Sequence, residues 1–268
     1  MSVQTLYTAA TGMEALETKL DVIANNLANV NTTAFKKDRA NFEDLFYQHE
    51  VLPGSKSDGE LTATGVSIGL GSKVSNVQSD FGQGAFQQTG RELDVAIEGN
   101  GFLQVTDPNG QRLFTRAGNL NINANGELVI GSASTGRKLD PPIRIPNDAV
   151  GIEISPRGEI FVRQVGNTQL TSVGILQLAT FLNKDGLLKL GENLYGETEA
   201  SGSPQAGTPG DTALGLGVLR QRFLEASNVE PVQELIDLIT TQRAFELNSQ
   251  AVQAGDQILQ LISNLKRS

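Results

Sequence analysis

The sequence has no cysteine, no tryptophan and a single histidine, His49. The lack of cysteine excludes disulfides and thiolate metal sites. His49 lies in a short polar stretch without a second ligand candidate beside it, so a metal site would need carboxylates alone. The Asp and Glu residues are scattered and form no spaced cluster of the kind that binds hard cations. We therefore expect no metal and no other cofactor.

Aromatic residues are also scarce, and the chain carries no excess of positive charge. Aromatics make up 5% of the 268 residues, so the core has to rely on Leu, Ile, Val and Ala. The formal net charge of −9 disfavours binding to nucleic acid, because an acidic surface repels phosphate backbones. We interpret the one basic group, Lys36, Lys37 and Arg39, as a solvated helix end. We also expect no cleavable leader, because the first residues include no basic region followed by an apolar stretch, and no run of about 20 apolar residues could span a bilayer.

Apolar residues at the N-terminus recur in alternating steps of three and four, which predicts an amphipathic helix with a heptad pattern. Proline is absent before Pro53, so nothing interrupts this helix early in the chain. The residues that we expect to pack along it are Leu6, Ala9, Met13, Leu16, Leu20, Ile23, Leu27 and Val30.

The C-terminus repeats this pattern. Ser227–Glu230 fits a capping box and Pro231 suits the first helical turn. Two apolar stripes follow, which together give a face broad enough to contact more than one neighbour. The first stripe contains Ala244, Leu247, Ala251, Ala254, Ile258, Leu261 and Leu265, and the second contains Leu235, Leu238, Phe245, Val252, Leu259 and Ile262.

The middle of the chain has the alternation typical of half-buried strands, beginning at Leu93, Val95 and Ile97, with Gly- and Asn-rich turns between short apolar runs. The predicted fold is α+β, with long terminal helices forming a coiled-coil-like pair around an inserted antiparallel β domain. The predicted divisions are an N-terminal helix (1–45), an extended linker (46–80), a central β-rich domain (81–224) and a C-terminal helix (225–268).

These helical ends have two interpretations. An ordinary helical hairpin within a monomer is the simpler one, because most amphipathic helices pack on their own domain. Placement at both extreme ends, around a β insertion, instead favours assembly, in which further copies cover the broad C-terminal face. Polar amides at Asn25, Asn26 and Asn29 could then specify contacts between subunits, although capping and solvation would account for each of them equally well.

Several separated motifs of the chain resemble those of one known family. The first is residues 24–36, with Asn25, Asn26, Asn29, Asn31, Thr32, Phe35 and Lys36. It resembles the N-terminal signature of the flagellar rod and hook protein family, with Ala34 where that family usually has Gly. Residues 93–102 and 114–119 are similar to its central motifs, and residues 227–229 with 241–249 to its C-terminal signature. The length excludes the much longer hook subunit, and residues 42–71 with 191–195 most resemble the distal rod members; the proximal rod paralogue is the alternative.

The resemblance implies a structural subunit that assembles helically into a rigid tubular drive shaft across the periplasm. It implies that the terminal helices line the inner tube and that the chain is exported without a cleaved signal by the flagellar type III apparatus. The implied partners are further copies, other rod proteins, the hook subunit, and the peptidoglycan and outer-membrane rings.

An enzyme is the alternative from another class. A cell-wall-processing enzyme needs a carboxylate pair in a cleft, and no pair in the β segment can be defended from the sequence. The Gly65, Gly69 and Gly71 spacing lacks the Lys-Ser/Thr pair of a phosphate loop, and no nucleophile elbow occurs. We expect no enzymatic activity and no small-molecule substrate.

Overall fold

The computed structural model describes residues 3–51, 56–57, 60–61, 64–131, 136–164, 166 and 169–265. Two long helices lie at the ends of the chain, α1 (Val3–Ala28) and α2 (Pro231–Leu265). Between them the strands are, in chain order, β1 (Asp38–Asp44), β2 (Tyr47–Val51), β3 (Lys56–Ser57), β4 (Glu60–Leu61), β5 (Val66–Gly69), β6 (Ser72–Ser79), β7 (Phe86–Gln88), β8 (Val95–Glu98), β9 (Phe102–Thr106), β10 (Arg112–Thr115), β11 (Leu120–Ile122), β12 (Leu128–Ile130), β13 (Arg137–Leu139), β14 (Ala149–Ile154), β15 (Glu159–Gln164), β16 (Leu170–Ile175), β17 (Leu178–Thr180), β18 (Leu188–Gly191), β19 (Leu194–Gly196), β20 (Gln205–Gly207), β21 (Val218–Gln221) and β22 (Phe223–Glu225). One 3₁₀ turn, Lys184–Gly186, precedes β18.

The chain folds as two compact units. The first, here called the helix unit, comprises Met1–Ala28, Asp38–Ser79 and Glu230–Ser268. The second, here called the β unit, comprises Asn29–Lys37 and Asp80–Val229. The β unit therefore includes residues 29–37, which directly follow α1 and are separated in sequence from the rest of the unit. We call this segment the strap.

In the helix unit, α1 and α2 lie side by side and antiparallel. Near the end of α1, Asn26 Nδ2 is 3.3 Å from Glu234 Oε2 in the first turns of α2. Nearer the start of α1, a Cβ atom at Gly12 would lie 3.2 Å from the Asn248 side chain. The unit is completed by two-stranded antiparallel ribbons, β1 with β6, β2 with β5 and β3 with β4.

The β unit is built around a nine-stranded sheet in the order β11-β12-β13-β9-β10-β19-β18, with β17 and β20 paired beside β9. A three-stranded sheet, β14-β15-β16, and the pairs β8–β21 and β7–β22 lie alongside it. The core is aliphatic, as the composition predicts, and it includes Val95, Ile97, Leu103, Leu120, Leu128, Ile160, Leu178 and Leu219. A smaller aromatic cluster contains Phe102, Phe114, Phe181 and Tyr195.

The predicted class is confirmed: two terminal helices enclose a central antiparallel β region. The helix predicted to reach residue 45 ends at Ala28, and Asp38–Asp44 form a strand instead. The apolar spacing stops at Val30, and the polar run that follows includes β-branched Thr32 and Thr33, which favour a turn over a further helical turn. The sequence predicts a linker over residues 46–80, but their described part forms paired strands. No helix in the described part of the chain is long and apolar enough to cross a membrane.

Candidate functional site

One face of α2 exposes large apolar side chains, and we call it the outer stripe. Ile239 is 56% exposed and Leu247 is 66% exposed. At about 100° per residue, the members of the stripe fall within an arc of about 120° around the helix axis. A single exposed Leu or Ile is ordinary, but an aligned set is the mark of an interaction surface. The outer stripe comprises Val232, Leu235, Ile236, Ile239, Leu247 and Leu261.

The opposite face of α2 is covered. Glu234 and Thr241 are buried there, and Leu238, Phe245 and Val252 are half-buried. Of the other residues predicted to pack along this helix, Ile258 is half-buried, and the side chain of Leu265 lies outside the described residues. The second predicted stripe therefore largely faces the protein interior, apart from Leu235, whereas Leu247 and Leu261 of the first stripe face outward.

The predicted apolar positions of α1 lie against the rest of the helix unit to different extents. Ile23 is buried, and Leu6, Met13, Leu16, Leu20 and Leu27 are half-buried. Val30 lies beyond the end of the helix, in the strap. Close to the start of α1, Leu6, Tyr7 and Ala10 line an open groove of about 470 Å³ together with Val252, Gln253 and Asp256 of α2.

Asn26 is the polar centre of the helix unit. Its side chain is 1% exposed, and its Nδ2 donates to the Asp38 carbonyl at 2.9 Å while its Oδ1 accepts from the Asp38 N–H at 2.9 Å. The same Nδ2 donates to Glu234 Oε2 at 3.3 Å. One amide thus links α1, the first residue of β1 and α2. The Asn26 amide forms these bonds within the chain, so the idea that it contacts another subunit is wrong for this residue.

The basic group predicted as a solvated helix end contains a buried lysine. Lys36 is 0% exposed, and its Nζ donates to Glu225 Oε1 at 2.5 Å and to the Gly82 carbonyl at 2.6 Å. Burial, followed by the nearby Arg116 guanidinium, lowers the pKa of the Lys36 ammonium from its ordinary value. The expectation of a solvated Lys36 is wrong because the chain leaves α1 at Ala28 and enters the β unit.

Glu225 also binds Arg116, which lies in the motif 114–119 and contacts the motif 93–102. Arg116 Nε donates to Glu225 Oε2 at 3.0 Å. Its other nitrogens donate to the carbonyls of Ile97, Gly99 and Gly101 at 3.3, 3.0 and 3.0 Å. These carbonyls surround the tight turn between β8 and β9, where Gly99 and Gly101 have positive φ angles of 104° and 132°. A planar guanidinium with several donors suits this arrangement, and glycine permits the backbone conformation.

Asn228, at the start of the C-terminal signature, joins three chain segments of the β unit. Its Oδ1 accepts from the Lys37 N–H at 2.8 Å, and its Nδ2 donates to the Asp80 carbonyl at 2.8 Å. Its own N–H donates to the Phe35 carbonyl at 3.3 Å. Asn228, which lies within the predicted capping box, therefore binds the strap.

The backbone at Ala34 has a conformation that favours glycine. The residue has a φ of 57°, in the left-handed region, and is 1% exposed. Left-handed backbone costs an L-residue other than glycine about 1–2 kcal/mol. Glycine takes this conformation without that strain, and alanine is the smallest residue that accepts it with strain.

The other motif residues lie at the end of α1 or in the strap. Asn29 Oδ1 accepts from Thr32 Oγ1 at 3.0 Å within the strap, while Asn25 and Asn31 are exposed. Phe35 lies under Lys189, whose Nζ is 5.4 Å from the ring centroid. Sequence reasoning missed Glu225 altogether. The one signal for it is a carboxylate in a short strand between apolar residues, and that pattern does not identify its cationic partners.

The described residues contain no group of three or more His, Asp and Glu side chains arranged to hold a metal ion. The notable features are instead the exposed outer stripe of α2 and the buried hydrogen bonds and ion pairs of Asn26, Lys36, Arg116 and Glu225. Such features suit assembly and a fixed backbone.

Three family models match the chain in order along its length. Residues 6–36 match "Flagella basal body rod protein", residues 96–162 match "Flagellar hook protein FlgE/F/G D1 domain", and residues 220–265 match "Flagellar basal body rod FlgEFG protein C-terminal". The first covers most of α1 with the strap, and the last covers α2 with Glu225 and Asn228.

Curated relatives match over almost the whole chain. The flagellar basal-body rod protein FlgG of Agrobacterium fabrum is 43% identical over 264 residues, covering 97% of this chain and 99% of the relative. FlgG of Bacillus subtilis is 40% identical over 268 residues, covering 98% and 99%. A second protein of the same organism, the flagellar hook-basal body complex protein FlhP, is 31% identical with the same coverage of 98% and 99%. The chain therefore belongs to the flagellar basal-body rod protein FlgG family, as a structural subunit of the distal rod.

Proposed function

We propose that the chain polymerises with copies of itself into a helical tube, and that the outer stripe of α2 is a main contact between the copies. The observation that carries the proposal is the alignment of exposed apolar side chains along one face of α2, while the opposite face already packs within the chain. Burying a large aliphatic side chain contributes about 1.5–3 kcal/mol, so several such residues per subunit provide a substantial driving force.

The antiparallel α1–α2 pair is then the element that stacks from copy to copy. In this proposal it packs in the manner of a coiled coil, lines the inside of the tube and stiffens it along the axis, because interlocked helices from many chains resist bending. We propose as further partners other rod proteins, the hook subunit, the surrounding peptidoglycan and outer-membrane rings, and the type III export apparatus. Torque passes along this tube from the motor to the hook.

A tag inserted after Gly202 tests whether the chain is a repeated subunit. Ser203, the next residue, is exposed, and a Cβ at Gly202 would meet nothing within 4 Å, so the site has room. We expect electron microscopy of isolated basal bodies from motile tagged cells to show label repeated at regular spacing along the rod beneath the outer ring. The untagged strain gives the background. A single label per particle would contradict self-polymerisation, and label at the membrane end of the rod would contradict a distal position.

A further inference from the structure

The strap is held in the β unit by its own main chain. The Ala34 N–H donates to the Glu225 carbonyl at 2.8 Å, and the Lys37 carbonyl accepts from the Asp80 N–H at 2.8 Å. The Thr33 carbonyl accepts from Asn193 Nδ2 at 3.0 Å. Hydrogen bonds at several residues of the strap fix its path in a way that apolar contacts, which tolerate sliding, would not.

A buried charge cluster closes the strap at Lys36. Two cations, Lys36 and Arg116, share one carboxylate, Glu225, and the three side chains are 0%, 4% and 0% exposed. Glu225 Oε1 also accepts from the Gly84 N–H at 2.9 Å. If Glu225 is absent, two buried cations lose their only carboxylate partner within the cluster. Removing one member of a buried ion pair is costly because the remaining charge stays desolvated.

Some of these bonds join the two chain segments that continue into the terminal helices. The strap follows α1 without a break, whereas Glu225 and Asn228 lie shortly before Pro231, the first residue of α2. Within the β unit these segments touch through Ala34 with Glu225, through Phe35 with Asn228 and through Lys36 with Glu225. Residues about 190 positions apart in sequence thus meet where one segment follows α1 and the other precedes α2.

We propose that Lys36, Glu225, Arg116 and Asn228 form an intramolecular latch that closes when the segment 225–228 reaches the strap. The closed latch holds the segment that follows α1 and the segment that precedes α2 together before a second copy binds. The purpose of the latch rests on the proposed function. Fixing the segments next to the two helices favours one register of α1 against α2, and this register sets the outer stripe that copies would bind. Closure requires the last part of the chain before α2, so the latch forms in a chain that is complete to that point.

Hydrogen exchange on the full-length monomer tests the latch directly. In the wild type we expect the amides of residues 29–37 to be protected. In Glu225→Gln we expect their protection to fall by about a hundredfold, because two buried cations lose their carboxylate. Strands β9 and β10 should keep most of their protection. Lys36→Met should have a smaller effect than Glu225→Gln, because it leaves the Arg116–Glu225 pair intact.

Matched variants of more accessible ion pairs in the same unit serve as controls. Glu98→Gln removes the carboxylate of the Arg220–Glu98 pair, and Lys138→Met removes the cation of the Lys138–Glu127 pair. Neither should change exchange in the strap.

The latch is overturned by any of three results: an unprotected strap in the wild-type monomer, a strap unaffected by Glu225→Gln, or loss of protection in β9 and β10 as large as in the strap. The last result would make Glu225 an ordinary core residue. Because the measurement uses the monomer, its outcome is independent of whether the outer stripe drives polymerisation.

Discussion

Replacement of Asn26 by Asp is expected to destabilise the helix unit by more than about 3 kcal/mol. The new carboxylate would face Glu234 Oε2, to which Asn26 Nδ2 now donates at 3.3 Å, inside a site that excludes water. It would also leave the Asp38 carbonyl without its amide donor. Circular dichroism at 222 nm during urea unfolding measures the change, because helices α1 and α2 dominate that signal.

The chain provides a closely matched control for this substitution. Asn25→Asp introduces the same charge one residue earlier, at an exposed position in the same last turns of α1. Both variants share the unfavourable interaction with the helix dipole, typically below about 1 kcal/mol. Adding Glu234→Gln to Asn26→Asp should recover part of the lost stability. Equal effects at positions 25 and 26, or no recovery in the double variant, would show that Asn26 is not the link described here.

Replacement of Ile239 by Glu is expected to abolish assembly without unfolding the monomer. Ile239 is 56% exposed in the outer stripe, so a charge there meets solvent in the free chain. Surface substitutions of this kind usually change stability by less than about 0.5 kcal/mol. In an assembled rod the same charge would be buried against an apolar neighbour without a partner, at a cost of several kcal/mol per subunit. Cells carrying the variant should lack the distal rod and be non-motile.

Ile239→Leu is the control at the same position, because it keeps the apolar surface and the approximate volume. We expect this variant to be motile with normal basal bodies. The Ile239→Glu variant must be shown to be produced and secreted, and to melt at the wild-type temperature as a purified monomer. If rods form normally in cells that carry Ile239→Glu, the outer stripe is not a main contact.

The fold class could be predicted because two different periodicities divide the chain. Steps of three and four residues marked α1 and α2, and alternation marked strands such as Val95–Glu98. The end of α1 was harder to locate because apolar spacing continues through Val30, after the helix has stopped. The ribbon of β2 and β5 was missed because nearly all of its residues are exposed, and exposed strands carry no alternation of burial.

The polar links were beyond prediction from the sequence for another reason. Asn26 and Lys36 were recognised as parts of a motif, but a motif does not state which atoms its residues bind. The partners Glu225 and Glu234 lie roughly 190 to 210 residues away, and pairing over that distance is set by tertiary structure rather than by local propensity. The outer stripe, in contrast, could be anticipated in part: two apolar stripes on one helix imply a face that the chain itself leaves open.

The burial of the outer stripe between copies can be measured through thiol labelling, because the chain has no cysteine. A single cysteine at Ile239 and, in a separate variant, one at Leu182, which is 96% exposed in the β unit, are treated with a maleimide. The comparison is between the purified monomer and isolated basal bodies. We expect fast labelling of both positions in the monomer, and protection of position 239 by at least about tenfold relative to position 182 in the basal body. Equal labelling of position 239 in the monomer and in the basal body would contradict assembly through the outer stripe.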